Sequence, residues 1–441
     1  MLSGPVLELA GRLTATLPGA LGKTLLLTTG AEANEAAIKM ARSPVRAPRR
    51  HGVAVTAARG YGGLPVSRPL QNRDPGRLHR TDRMHSPLPR SPVDDDRSLV
   101  VHVVAPETVE DVLDFRDWRA AGLALSPSRL RAASLDGRWH TQWAVARRGA
   151  HIVGLLPMHR SKTATAGDPI YDPRVVAPAL WGASPDDART WCYVGGFMDL
   201  MAGLTLSSTD EPAQREIVGR RLVRAAYDTC LDAGVKPVSL YLRSEDFEIF
   251  RRALGPEAVF ASLSTNAIID VLGTSVDGHV AALDKKRRYR MRRECAQLDA
   301  LGMRAIRAAP SRILAEAAPL IANIKARHKV ADHPALIELR LRRWAAGDAD
   351  EVCALHVRDG RGRLVGVSFV ARRDRRVELY EIGLADDQDH RHLVYTELLV
   401  HAPLRYAIDH DCSMVDLGMD SQQPKTLRGA RLEPVWGLGV R

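Results

Sequence analysis

The sequence predicts a mixed α/β (α+β) fold built twice over, each half a mixed, mainly antiparallel sheet flanked by helices. Three observations predict it. Short β-branched stretches bounded by turn residues alternate with segments whose apolar residues recur at helical spacing. The order hairpin, strand, long helix, strand occurs once within residues 96–260 and again within 261–441. Hydrophobic residues make up 45% of the 441, enough to bury more than one core.

In the first half, Leu99 to Val104 reads as a strand and Glu107 to Ala121 as an amphipathic helix through Val109, Val112, Leu113, Phe115 and Trp118. Thr141–Arg147 and His151–Met158 follow as a hairpin closed by Arg148-Gly149. The strand at Trp191 ends on the glycine pair Gly195-Gly196. A long helix over Glu211–Ala233, a strand over Val238–Leu242 and a helix over Ser244–Leu254 complete this half. The second half opens with strand Ala267–Val271, helix Asp277–Leu301 and strand Arg304–Ala308, then helices near 311–328 and 333–346. A meander runs through Val352–Arg358, Leu364–Ala371 and Val377–Leu384. The helix His392–Asp409 then leads to strand Ser413–Leu417.

Ahead of these halves the chain changes character. Residues 1–43 read as helix, strand, turn, helix. Residues 44–95 lack any apolar period, and Pro44 to Arg90 holds seven prolines, ten arginines, no lysine and two acids. So dense a basic charge with so many prolines predicts a disordered linker. That tract holds most of the net charge of +11, which leaves the halves nearly balanced and weakens a general nucleic-acid reading. The five cysteines show no metal-ligand or disulfide spacing, so no metal site is expected and the thiols read as small buried residues in a reducing compartment. No apolar run reaches eighteen residues and no signal pattern opens the chain, which predicts a cytoplasmic protein without a membrane partner.

The meander strand "RVELYEIGLA", the long helix and the closing segment with Asp416, Gly418, Lys425, Arg428 and Gly429 resemble the GNAT acyltransferases, and in particular their FemAB-like members. The hairpin "WAVARRGAHIVGLLPMHR" and the basic helix "KKRRYRMRRECAQLDALGM" resemble the leading half and the opening of the second half of those proteins. The resemblance covers about 96–441. It implies acyl transfer from acetyl-CoA or another acyl-CoA, lying where two strands splay, to a small-molecule amine or amino-acid derivative. The glycine-rich phosphate loop of simple GNAT enzymes is absent before His392, so an aminoacyl-tRNA donor stays open.

The chemistry needs a base, an oxyanion pocket and a grip on the donor. Glu378 and Glu381 lie on the strand nearest the expected cleft; three apart, they read as facing opposite sides, and Glu381 is the candidate base. Tyr395 is a candidate proton donor, and Asp416 a catalytic or turn-forming acid. Lys425, Arg428 and Gly429 are candidates for donor or substrate binding. The run from Lys285 to Arg293 reads as a solvated face that also offers Arg287 and Arg288 to a polyphosphate. We read no aromatic interleaving in it, so no sequence-specific nucleic-acid role is expected.

Residues 1–43 resemble the class III aminotransferases, of the dialkylglycine decarboxylase branch, and Thr29, Gly30 and Ala31 match the turn that binds the phosphate of pyridoxal phosphate (PLP). The match then stops, with no counterpart for the Schiff-base lysine, so this PLP site is expected to be vestigial. The expectation is a relic or gene-model artefact over 1–43, with 44–83 a degenerate translation and Met84 a plausible start. Three alternatives to acyl-CoA transfer stand: FemAB-type aminoacyl transfer, an inactive PLP-enzyme remnant, and a non-catalytic GNAT shell.

Overall fold

The structure is a computed structural model. It describes residues 98–441 apart from 109–117, 121–122, 165–168, 185–186, 198–200, 329, 331, 347–351, 374, 388 and 441. Thr29, Gly30 and Ala31, the linker, and most of the helix expected over 107–121 therefore lie outside the described residues.

The first half runs β1 (Leu99–Val104), β2 (Trp118–Ala120), α1 (Pro127–Ser134), β3 (Trp139–Arg148), β4 (His151–Ser161), β5 (Trp191–Val194), β6 (Thr205–Ser207), α2 (Pro212–Asp232), β7 (Lys236–Leu242), α3 (Ser244–Leu254) and β8 (Ala258–Asp270). The second runs α4 (Val276–Ala282), α5 (Lys285–Ala300), β9 (Ile306–Ala308), α6 (Leu314–Arg327), α7 (Pro334–Ala346), β10 (Val352–Arg358), β11 (Leu364–Arg373) and β12 (Arg376–Leu384). It closes with α8 (Arg391–Thr396), a π turn (Glu397–His401), α9 (Ala402–Asp409), β13 (Met414–Asp416), α10 (Gln422–Thr426) and β14 (Arg431–Val440).

Among the described residues these strands make one fourteen-stranded sheet, ordered β1-β3-β4-β5-β7-β14-β8-β13-β12-β11-β10-β9 with β2 and β6 to one side. Each half repeats one plan. Antiparallel neighbours lead to a single parallel pair, β5 with β7 in the first half and β12 with β13 in the second. Each parallel pair is joined by a long helical crossover, α2 or α8–α9, because parallel strands cannot be linked by a tight turn. The last strand of each half then crosses to the other: β8 pairs with β13, β14 pairs with β7, and β8 and β14 pair with one another.

Most expected elements stand within a few residues, and three departures have physical reasons. Trp118–Ala120, expected as the end of a helix, is strand β2, because its ladder partner β6 lies more than eighty residues on. The helix expected over Asp277–Leu301 breaks at Leu283-Asp284, where the Asp284 carboxylate accepts from the amides of Lys286 and Arg287 and starts α5 afresh. The strand expected at Ala267 begins at Ala258, drawn out by ten register pairs with β14.

Candidate active site

Three pairs hold β12 and β13 together: Arg376 with Met414, Val377 with Val415 and Glu378 with Asp416. Beyond Glu378 the strands part. Here β12 also carries a bulge, since Phe369 of β11 faces Glu381 while Val370 faces Leu379, with Tyr380 as the extra residue. The bulge corrects the expectation that Glu378 and Glu381 face opposite sides. Their partners Ala371 and Phe369 both belong to the cluster under α6 and α7, so the two carboxylates share that face.

A cavity of about 550 Å³ opens at the splay. Glu381, Tyr395, Asp416 and Lys425 line it, joined by Arg243 from the first half. Arg428, Gly429, Arg287 and Arg288 do not. A separate space of about 690 Å³ lies on the other side of Arg243 and Glu378, walled by Arg373, Arg375 and Arg376. The smaller cavity is the better site, because it holds the splay and the convergent polar groups.

Two ion networks set the cavity's charge. Glu381 accepts from Arg340 at 2.9 Å and faces Lys325 at 3.3 Å, and both cations also hold Asp332. Across the cavity, Arg243 Nη2 donates to Asp416 at 2.6 Å and to Glu378 at 3.3 Å. Asp416, only 4% exposed, also accepts from Asn266 and from the amide of Gly418, each at 2.9 Å. Its oxygens are committed to shaping the turn after β13. Arg243 leaves its Nε and Nη1 without a hydrogen-bond partner among the described residues, two buried donors available to a ligand.

Lys425 is 2% exposed and donates to the carbonyls of Gly418 and Met419 at 2.9 and 2.8 Å. Burial pushes its ammonium down to about 8, against the opposing pull of Asp416 and Asp420. Asp420 and Ser421, on the cavity rim, are consecutive non-glycine residues in left-handed conformation, with φ of 60° and 45°. Backbone strain of this kind concentrates at working sites. Tyr395 stands one turn into α8, its phenol raised by burial against the lowering influence of Ser421. Tyr380 stacks on Trp344 with ring centroids 4.6 Å apart and planes within 5°, and Arg129 lies over the same indole.

The remaining expected residues lie behind the cavity. Arg428 grips Glu294 at 2.6 and 2.8 Å, and Gly429 follows at φ 102°, a turn only glycine makes easily. Arg287 Nε donates to the Thr426 carbonyl at 3.2 Å and Arg288 Nη1 to Ala281 at 2.8 Å. Contrary to our reading of the basic run, an aromatic residue does stand within it: Tyr289 is 68% exposed among exposed Lys285, Lys286, Arg290, Arg292 and Arg293. Sequence reasoning missed Arg243, Asn266, Lys325 and Arg340, which reach the cavity from distant segments.

Residues 285–426 match the family model described as Acetyltransferase (GNAT) domain. This stretch is a GNAT domain. Its fold extends over both halves: the crystal structure of FemX is 8% identical, covers 78% of this chain and 97% of its own, and superposes with a TM-score of 0.50. A conserved protein of unknown function from Bacteroides thetaiotaomicron VPI-5482 gives 10%, 76%, 97% and 0.47 by the same measures. An uncharacterized aminotransferase of Schizosaccharomyces pombe is 41% identical over 90 residues, 17% of this chain. The chain spans only 20% of that curated relative. The GNAT domain carries acyltransferase chemistry, and the splayed strands with their bulge lie within it. Among the described residues no helix is long and apolar enough to cross a membrane.

Proposed function

We propose that the cavity transfers an acyl group from acyl-CoA to the amine of a small, carboxylate-bearing acceptor such as an amino-acid derivative. The observation that carries this reading is the parting of β12 from β13 beside a bulge that leaves Glu378 and Glu381 on one face. The amine attacks the thioester carbonyl, a C–N bond forms and the C–S bond breaks. Glu381 takes the proton from the attacking nitrogen, and Tyr395 supplies one to the departing sulfur. The Nη1 donor of Arg243, without a hydrogen-bond partner among the described residues, suits one oxygen of an acceptor carboxylate. Lys425 holds the turn at Gly418 and Met419. Asp416 acts through Arg243 rather than on substrate.

The donor's pyrophosphate belongs at the N-terminus of α8, where the helix dipole favours anions. This chain puts Asp386, Asp387 and Asp389 there, with Arg327 and Arg391 on Asp386 and Arg363 on Asp387. That charge favours a second reading, aminoacyl transfer from a charged tRNA. Exposed Tyr289 among the bases of α5 supports it, since an aromatic ring beside cations is the usual surface for stacking and phosphate contact. In either reading the working unit is the two halves 96–260 and 261–441, with 1–43 and 44–95 outside it. The five unpaired cysteines suit a cytoplasmic setting.

Thermal-shift titration of the full chain with acetyl-CoA, CoA and aminoacyl-tRNA separates the readings. A ligand at a hundredfold excess over its Kd adds about 2.7 kcal/mol of stability. We expect the shift with acetyl-CoA. A shift with aminoacyl-tRNA alone moves the protein to the second reading, and no shift with either sinks both.

A further inference from the structure

Behind the cavity, α5 packs against the π turn Glu397–His401, and four polar side chains meet there without touching the acyl-transfer site. His401 is 3% exposed. Its Nε2 lies 3.0 Å from Glu294 and its Nδ1 3.9 Å from the sulfur of Cys295. The carboxylate of Glu294 thus accepts the Nε2 hydrogen bond and turns Nδ1 toward the Cys295 sulfur, where the ring can accept the thiol proton and become an imidazolium beside a thiolate. Glu294 is fixed in turn by the guanidinium of Arg428 at 2.6 and 2.8 Å. The buried Glu397 faces His401 from the π turn itself and is held by the Ala305 amide, Arg304 and Arg405. A nucleophile, a ring to polarise it and a carboxylate to orient the ring are the parts of an activated thiol.

We propose that Cys295, held by His401 and Glu294, is a modification site: a reactive thiolate that exchanges with small aliphatic disulfides. The thiolate attacks one sulfur, a new S–S bond forms and the old one breaks. The other half leaves as a thiolate that takes its proton from water. The protein thiol is oxidised and the disulfide reduced, so no further oxidant is needed. Burial opposes ionisation of the Cys295 thiol, but His401 and Arg304 outweigh it and hold the thiol below its usual range. Burial likewise works against a charged His401, and Cys295, Glu294 and Glu397 overcome it and raise the imidazole. Cys295 is partly exposed, whereas Cys192, Cys230, Cys353 and Cys412 are buried, so access selects the same residue as reactivity. The π turn sets the His401 imidazole toward α5, and such turns gather at functional sites.

The test uses the full chain, iodoacetamide and oxidised glutathione, with each modified cysteine located by peptide mass mapping. We expect Cys295 to be modified first by both reagents. Between pH 8.5 and 6.5 its alkylation rate should fall by less than the about fiftyfold of an ordinary thiol of pKa near 8.5. His401→Asn should lower the rate at pH 6.5 and restore the ordinary, about fiftyfold fall between pH 8.5 and 6.5. A fiftyfold fall in the unmodified chain overturns the proposal, as does labelling of Cys295 no faster than the buried four. The unmodified chain decides the matter even where His401→Asn fails to fold.

Discussion

The two halves share one topology and use the same place in it differently. In the second half, the gap beyond the parallel pair is an open cavity walled by Glu378, Glu381, Asp416 and Lys425. In the first half, β5 and β7 likewise pair over three positions, but the space beyond is packed with Trp181, Trp191, Tyr193, Phe197 and Tyr241. Phe197 alone makes ring contacts with Trp139, His159, Tyr171 and Tyr193. Burial there also pushes the His159 imidazole down to about 4, so the ring sits neutral against Thr141. A splayed strand pair is therefore a site only where its lining is polar. With aromatic filling the same backbone becomes a buttress.

Substitutions on each side break or sharpen that contrast. Glu381→Gln should lower kcat by about a hundred- to ten-thousandfold, the span of a positioned general base. Its melting temperature should change little, because the neutral amide still accepts from Arg340. Unchanged turnover would leave the open half without a catalytic carboxylate. Phe197→Ala should do the reverse, costing about 3–5 kcal/mol in urea unfolding with KM and kcat preserved on the folded fraction. A large kcat loss there would mean that the filled half also works on substrate.

Lys425 offers a subtler distinction. Its ammonium is held near 8 when folded and at the ordinary 10.5 when unfolded, so the unfolded chain binds the extra proton between those values. Stability should accordingly rise with pH over that window, by about 2 kcal/mol between pH 7 and 10. Chemical unfolding of Lys425→Met should lack that rise; equal slopes in both proteins would show that the lysine is solvated after all. The smallest effect is at the helix start: Asp386→Asn should tighten CoA binding about two- to fivefold, the worth of one charge near a helix dipole. Calorimetric titration checks it. An unchanged Kd places the donor's phosphates elsewhere and strengthens the claim of α5.

Much of this was legible in the residues. The hairpins, both long crossovers and Ser244–Leu254 followed from periodicity and turn chemistry, which are local. Glu381, Tyr395, Asp416 and Lys425 were found together because the C-terminal pattern kept their order along 381–425, and the structure lines one cavity with all four. Long-range pairing was not legible. Nothing near Trp118 announces Thr205–Ser207 as its partner, and nothing near Arg243 announces Asp416. The Tyr380 bulge escaped for the same reason: an extra residue in one strand shows only against its neighbour, and it reversed the face assigned to Glu378.

The exchanged strands have a consequence for how the chain comes into being. β7 takes its second neighbour from β14, the last strand made, and β8 lies between β14 and β13. During synthesis the first half therefore emerges with one edge of β7 open and most of β8 unpartnered, and it stays so until residues 431–440 leave the ribosome. These open edges wait through the translation of more than a hundred and fifty residues, exposed to whatever else pairs with strands. Neither half can be born finished: each completes its sheet only when the last strand is made.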